Sequence, residues 1–491
     1  MSKCQWAGTA LGLALCSVAL VGCNLSKGSS DQSAATNMSA ANPQVAWTSK
    51  TEKELREAIA DAPANGLRPE LFLKGGESGA ALTEAAVKYA SALANGYSDP
   101  SKLHEVYTIP HPIVDVRPGL EQAIKQGSVK SWLDTLPPQT EEYRALSQAH
   151  LHFLQLAGKG QFQPVPGGDP IKPGSHDPRI IKVGAVLGEL GYLGGPAQQG
   201  SSQAMPSGDR YSGVLVAAVK KLQSEYGFKP DGIIGGNTLD ALNAGPAYRA
   251  RELAVAMERL RWLPRNPPAT RIDVNTAASF LDYWRDGQHV DHREVVEGEV
   301  DKPTPQLQAP IVRLVANPTW TVPKGIGMKE LANKSPTWLK DNQFVLKGDQ
   351  YVQLSGPKNS LGLVKFDMDD NEAIYLHDTP AKALFGVDDR HRSHGCVRIE
   401  NAMQFATALA DQENVLDQFQ QATQKNDEAF IRLPNPIPVR LIYQTAFWDG
   451  SNVQFRQDVY GWDENVAKAL GLEPGAPQRI EQPESSDEIA P

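Results

Sequence analysis

The sequence predicts a multidomain α+β protein: a helical N-terminal domain, a three-helix module, and a mixed, mainly-β domain interrupted by an inserted subdomain. Three observations predict it. Apolar residues recur at helical spacing through the first half of the chain and switch to the two-residue rhythm of strands near residue 270. A Pro- and Gly-rich stretch at 161–175 separates two helical blocks. At 491 residues the chain is too long for one compact core. Hydrophobic residues at 41% and charged residues at 21% are ordinary for globular protein. The net charge is −9 and there is no basic run, so no nucleic-acid partner is expected.

In chain order, Lys3 precedes an apolar run from Ala7 to Val21 that is too short for a comfortable spanning helix. The run ends in Leu20-Val21-Gly22-Cys23, which resembles the bacterial lipobox. That resemblance implies a signal at 1–22, lipidation of Cys23, and a periplasmic, lipid-anchored body; Asn24 in the next position favours the outer membrane. Residues 23–45 read as a flexible tether, because they are Ser, Ala, Asn and Gln with almost no large apolar side chain. Residues 46–160 read as a helical scaffold. Thr83 is expected to cap one helix there, with Leu82 stapled onto Val87. Glu54 to Ile59 and Glu141 to Leu156 are further helices, and His104, His111, His150 and His152 form no ligand pattern.

Residues 176–245 form the small module. Val183, Val186, Leu187 and Leu190 make one stripe and Leu215, Val219 and Leu222 a second. Thr238 or Asn237 is expected to cap a third helix after the Asp231-Gly232 turn. Leu253, Met257 and Leu260 belong to a further helix. Residues 250–472 then read as the mainly-β domain, with Asp286-Gly287 as a hairpin turn and an insertion at about 323–350. Strands are expected to resume at Tyr351 to Leu354, Leu361 to Phe366 and Ile374 to His377, and again at Pro438 to Trp448 and Val453 to Tyr460. Residues 473–491 read as a disordered tail.

Cys396 is the chain's one cysteine beyond the first two dozen residues, so a processed protein has no partner for an internal disulfide. It sits in His391-Arg392-Ser393-His394-Gly395-Cys396-Val397-Arg398. The thiol is a buried bystander, a metal ligand or a nucleophile. Its polar neighbours argue against an apolar slot. A zinc site from His391, His394 and Cys396 lacks the distant second ligand pair such sites use, so no metal is expected. Upstream, Tyr375 and His377 alternate with Ile374 and Leu376, which places His377 on the polar face of a strand ending. An imidazole there can take the thiol proton and return one to a leaving amine. Gly395 permits a turn that aims backbone N–H groups at an oxyanion. Arg398 is a candidate for holding a substrate carboxylate.

Ser393-His394-Gly395-Cys396-Val397-Arg398, preceded by Ile374-Tyr-Leu-His377-Asp-Thr-Pro380, resembles the L,D-transpeptidases with a YkuD-type catalytic domain. Ser355-Gly-Pro-Lys-Asn359-Ser-Leu-Gly362, Asn317-Pro-Thr-Trp320 and Tyr443-Gln-Thr-Ala-Phe-Trp448 resemble the large envelope members. The phrase Val219-Lys-Lys-Leu-Gln-Ser-Glu-Tyr-Gly-Phe-Lys-Pro-Asp231-Gly resembles the three-helix peptidoglycan-binding domain. The acidic run Asp367 to Glu372 departs from the pattern expected before the His377 strand. The resemblance implies a wall-biogenesis acyltransferase that needs no cofactor and acts on peptidoglycan stem peptides. Cys396 is then the nucleophile that releases D-alanine, His377 the proton carrier, and His394, Gly395 and Cys396 the oxyanion loop. Ser393, Asn359, Tyr375 and Arg398 line the substrate site, and the insertion acts as a lid. It also implies carbapenem-type inhibitors. An L,D-carboxypeptidase with the same residues, and a non-catalytic wall-binding lipoprotein, remain alternatives. A papain-type hydrolase does not fit, since here the histidine precedes the cysteine.

Overall fold

The computed structural model describes residues 46–160, 162–193 and 208–473. The expected signal, the Cys23 lipidation site, the tether up to residue 45 and the tail from 474 onward lie outside the described residues. Among the described residues no helix is long and apolar enough to cross a membrane.

The N-terminal region is helical. It comprises α1 (Ser49–Ala60), α2 (Gly79–Asn95), α3 (Pro100–Leu103), α4 (Arg117–Gln126), α5 (Val129–Leu133) and α6 (Glu141–Ala157). A Thr48/Thr51 capping box starts α1, and the Thr140 hydroxyl caps α6 by accepting from the Tyr143 N–H. The expected cap at Thr83 is corrected: α2 begins one turn earlier, at Gly79. Thr83 lies inside the helix, donating to the Gly79 carbonyl (3.1 Å) and accepting from the Trp47 indole (2.9 Å). Leu82 is a buried core residue rather than a staple.

The module comprises α7 (Ile180–Glu189), α8 (Val214–Glu225) and α9 (Gly236–Asn243). Gly235, not Thr238 or Asn237, is the cap of α9. Thr238 is instead one partner of Gln223, whose amide is buried and ties the Asp231-Gly232 turn to α8. Its Nε2 donates to Asp231 Oδ1 (3.0 Å), the Ile233 carbonyl (3.1 Å) and Thr238 Oγ1 (3.1 Å), and its Oε1 accepts from the Gly232 N–H (2.8 Å). This satisfied polar clasp is the physical reason a glutamine stands in an otherwise apolar module.

α10 (Pro246–Trp262) is buried on nearly every face. Leu253 and Met257 pack into the core shared with the module, while Val255 and Trp262 pack into the core of the N-terminal helices. Several of its charged residues are paired inside. Arg261 bonds Glu258 (2.6 Å) and the Tyr143 hydroxyl (2.6 Å). Arg259 pairs with Asp463, which also accepts from Thr445 (2.7 Å).

The last domain is built on a mixed sheet. Its strands are β1 (Arg271–Asn275), β2 (Phe280–Arg285), β3 (Gln288–Gly298), β4 (Leu307–Ala316), β8 (Val364–Met368), β9 (Leu376–His377), β10 (His391–Ser393), β11 (Val397–Ile399) and β12 (Ala429–Ile442). The order β10-β3-β11-β9-β8-β4-β12-β1-β2 closes on itself, because β2 also pairs with β3. Asp286 and Gly287 both take positive φ, the geometry a two-residue hairpin turn demands. Helices α13 (Ala402–Gln412) and α14 (Leu416–Thr423) cover the sheet through Phe405, Leu409 and Phe419.

The insertion is its own small body. A separate sheet of β5 (Trp320–Thr321), β6 (Phe344–Lys347) and β7 (Gln350–Gln353) surrounds α11 (Lys324–Ile326), a π-helical turn at Gly327–Leu331 and α12 (Pro336–Asp341). The strand expected at Tyr351 to Leu354 therefore belongs to the insertion, and the main sheet resumes at β8. Two ends are also corrected. β12 starts at Ala429 rather than Pro438, and Val453 to Tyr460 shrinks to β14 (Val453–Phe455), paired with β13 (Ala446–Trp448) and followed by α15 (Trp462–Ala469).

Asp463→Ala is expected to strip the partner from a fully buried Arg259 and cost about 3–5 kcal/mol, read as a clear drop in thermal midpoint. Glu464→Ala, which breaks the half-exposed pair with Arg251, is expected to cost under about 1 kcal/mol.

Candidate active site

β9 and β11 run parallel, with Leu376 opposite Val397 and His377 opposite Arg398. The Val397 N–H donates to the Tyr375 carbonyl (3.1 Å). Alternation along both strands sends Ile374, Leu376, Val397 and Ile399 into the apolar core. Tyr375, His377, Cys396 and Arg398 share the other face. One backbone register thus brings the segments that carry His377 and Cys396 side by side.

The thiol lies in the turn between β10 and β11. Ser393 organises that turn: its hydroxyl donates to the Cys396 carbonyl (2.5 Å) and accepts from the Gly395 N–H (3.1 Å). Gly395 has φ 114°, a conformation that side chains rarely adopt, so the turn needs glycine for its backbone rather than for space. Its N–H is spent on Ser393 and is not offered to an oxyanion. Thr304, fully buried, donates to the Gly395 carbonyl (2.9 Å) and accepts from the Gly298 N–H (2.9 Å). A Cβ on Gly298 would sit 2.2 Å from the Lys302 carbonyl oxygen, so that close approach also requires glycine.

Cys396 is 6% exposed, and burial pushes its pKa up to about 11, partly opposed by hydrogen bonding from Tyr375. His377 is fully buried, and burial together with the Arg398 charge lowers its pKa to about 3. Its Nδ1 faces the Asp378 carbonyl at 2.5 Å, so Nδ1 carries the hydrogen. Nε2 is left as an acceptor without a hydrogen-bond partner. At neutral pH the two groups therefore rest as thiol and neutral imidazole. Asp378 in turn accepts from the Leu363 N–H (3.0 Å) and pairs with Lys382, which pins the end of β9.

The other expected site residues fall into two groups. Arg398 is 1% exposed, and its Nη2 donates to the Arg392 carbonyl (3.3 Å). Asn359 is fully buried and donates to the carbonyls of Pro318 (3.1 Å), Gln353 (3.3 Å) and Leu354 (2.9 Å). With Ser393, these residues hold the backbone of the loops around the thiol turn. Tyr375 and His394 instead connect the thiol loop to the insertion. Tyr375 packs with Trp320, Leu331 and Leu361, and Lys365 lies 4.1 Å from its ring centre. His394 Nε2 is 2.9 Å from Glu330 in the π-helical turn.

Sequence reasoning missed Thr304, Glu297 and Glu330. Glu297 is buried, with its pKa raised to about 7 by burial against the pull of His391. It meets His391 Nε2 at 3.2 Å and pairs with Ser279. His391 also meets Asp389 (3.1 Å) and the Thr276 carbonyl (3.0 Å), so its ring is held within the protein and not turned to Cys396 as a metal ligand. Nothing local in sequence marks these partners, because each is brought in from a segment distant in sequence: Glu297 from β3, Thr304 from the loop after it, and Glu330 from the π-helical turn of the insertion.

Family models match three segments. Residues 269–416 match the L,D-transpeptidase catalytic domain, YkuD, residues 39–149 a scaffold domain, and residues 177–242 a peptidoglycan-binding domain. A Haemophilus influenzae protein named for a proposed L,D-transpeptidase activity is 29% identical over 242 residues, covering 44% of this chain and 49% of the relative. The chain thus spans about half the length of that relative. Among solved structures, the E. faecium L,D-transpeptidase catalytic domain acylated by ertapenem is 14% identical, with 36% of this chain and 99% of that chain covered at a TM-score of 0.21. A Xylanimonas cellulosilytica L,D-transpeptidase is 17% identical, with 57% and 100% covered at a TM-score of 0.21. The assignment rests on the three domain models: the chain carries a YkuD L,D-transpeptidase catalytic domain together with a scaffold domain and a peptidoglycan-binding domain.

Proposed function

We propose that the protein is a peptidoglycan L,D-transpeptidase working through a thioester on Cys396. One observation supports the reading: the β9–β11 register brings the segment carrying Cys396 beside the strand carrying His377, whose Nε2 has no hydrogen-bond partner. The thiol proton moves to Nε2 as Sγ attacks the carbonyl of the third residue of a tetrapeptide donor. The tetrahedral oxyanion is received by backbone N–H groups of the thiol turn, with Cys396 rather than Gly395 supplying the contact. Collapse breaks the amide bond, and His377 hands its proton to the departing D-alanine. An acceptor amine then attacks the thioester, yields a proton to the imidazole, and frees the thiol.

The resting protonation suits this order. A neutral thiol costs little to hold in a buried site, and the His377 imidazole is held neutral with Nε2 open to accept a proton. The insertion covers the thiol through Tyr375 and Glu330, so donor entry requires it to move. In its closed position it limits water at the thioester, which favours an amine acceptor over hydrolysis. The peptidoglycan-binding domain supplies attachment to the wall, and a lipid on Cys23 would hold the protein at the periplasmic face of the outer membrane. Carbapenem-type β-lactams, as acyl donors, are expected to reach the same thiol.

Purified protein given a disaccharide-tetrapeptide is expected to yield dimers linked between third residues plus free D-alanine. Tripeptide and D-alanine alone would instead make it a carboxypeptidase. Alkylation of Cys396 by iodoacetamide is expected to rise roughly tenfold per pH unit from 7 to about 10, since the thiolate fraction grows below a pKa of about 11. A plateau between pH 6 and 8 would reveal a thiolate–imidazolium pair and contradict the neutral resting state.

A further inference from the structure

A second cluster of chemistry lies on the β2–β3 hairpin, away from the thiol turn. Asp282 Oδ1 meets His289 Nε2 at 2.8 Å and His292 Nδ1 at 2.8 Å. Asp282 stands directly opposite His292 in the ladder, so those two share a face. His289 is three residues from His292, and in a regular strand it would project to the opposite, core-facing side. It does not, because the ladder shifts: Tyr283 pairs with Asp291, but Trp284 pairs with His289. Val290 is the extra residue, left 48% exposed. A bulge of this kind re-aims one side chain, and here it turns His289 onto the face that carries Asp282 and His292.

We propose that Asp282, His289 and His292 form a binding site for a divalent transition ion of the zinc class. Two imidazole nitrogens and one carboxylate oxygen are the donors that borderline ions prefer, whereas Mg²⁺ and Ca²⁺ select all-oxygen sets. The three donor atoms lie within 4.8 Å of one another. Zinc at its usual bond lengths holds tetrahedral donors roughly 3.3 Å apart, so the two contacts of 2.8 Å to Asp282 open slightly and any wider gap between the histidine nitrogens closes to admit the ion. The rings are braced. His289 packs against Trp284 at 5.2 Å and His292 against Phe280 at 5.2 Å. Nearby charges are already engaged, Asp291 with Arg293 and Glu294 with Arg390, so the trio is the set left to hold a cation.

The placement also gives the ion somewhere to act. Asp282, His289 and His292 line a cavity of about 760 Å³ that is walled further by Tyr226, Phe228 and Glu142. Neither Cys396 nor His377 lines it. Three protein ligands leave a tetrahedral ion with one position open, and that position faces this cavity, where an oxygen donor such as a carboxylate or water can complete the shell.

The test is calorimetric titration of the untagged chain with Zn²⁺, in a Cys396→Ala background so that the thiol does not compete. The expected result is one equivalent bound, weakened at least tenfold by His289→Ala and by His292→Ala, and undisturbed by excess Mg²⁺. Deleting Val290 removes the bulge but keeps all three ligands, and is expected to weaken binding as much, with circular dichroism reporting that the sheet persists. Should that deletion unfold the domain, Co²⁺ substitution decides: ligand-field bands in the visible that vanish in His292→Ala support the site. No Zn²⁺ binding in the parent, or binding unchanged in both histidine variants, would overturn it.

Discussion

The chemistry proposed for the thiol depends on the parallel register between β9 and β11. Strand side chains alternate with period two, so a slip of one residue would send Cys396 or His377 into the core and Val397 or Leu376 into the site. The register is held from both sides. Apolar burial of Leu376, Val397 and Ile399 fixes the core face. On the other, Ser393 and Thr304 hold the backbone of the thiol turn, and Asp378 ties the end of β9 to the preceding loop. Both segments are held firmly because their supporting groups are satisfied polar groups in a dry interior.

A second constraint joins the domains. α10 is a helix with arginines and glutamates at positions that a two-layer protein would bury with leucine. Arg261, Arg259 and Glu258 are matched by residues of α6, α15 and the loop before α3. Buried ion pairs contribute little net stability, but they penalise misdocking heavily, because a displaced partner leaves a charge uncompensated. We read α10 as the element that sets how the scaffold and module are held against the catalytic sheet.

Much of this was legible in the sequence, and the failures have identifiable causes. Cys396 and His377 stood out because a lone thiol and a strand's alternation are local signals. The Asp286-Gly287 hairpin was legible because two positive φ values ask for those residues. β12 begins at Ala429, earlier than the strand expected from Pro438; Pro434 and Pro436 fall where the ladder shifts between Arg432 and Ile437, and that irregularity admits them. The hydrogen bonds that Ser393, Asn359 and Arg398 make to backbone groups were not legible, because their partners are set by the fold and not by the motif. Thr304 and Glu297 carry no mark, since their importance comes from neighbours distant in sequence. The Asp282, His289 and His292 trio needs a bulge, and a bulge is invisible to a period-two reading.

The central claim is that Cys396 itself carries the acyl group. Intact-mass spectrometry of the protein mixed with a tetrapeptide donor tests it most directly. The account predicts a transient adduct equal to the donor less D-alanine, mapped to the peptide containing Cys396 and absent from Cys396→Ala. An adduct that survives in Cys396→Ala, or product formation by that variant at the parent's rate, would contradict it.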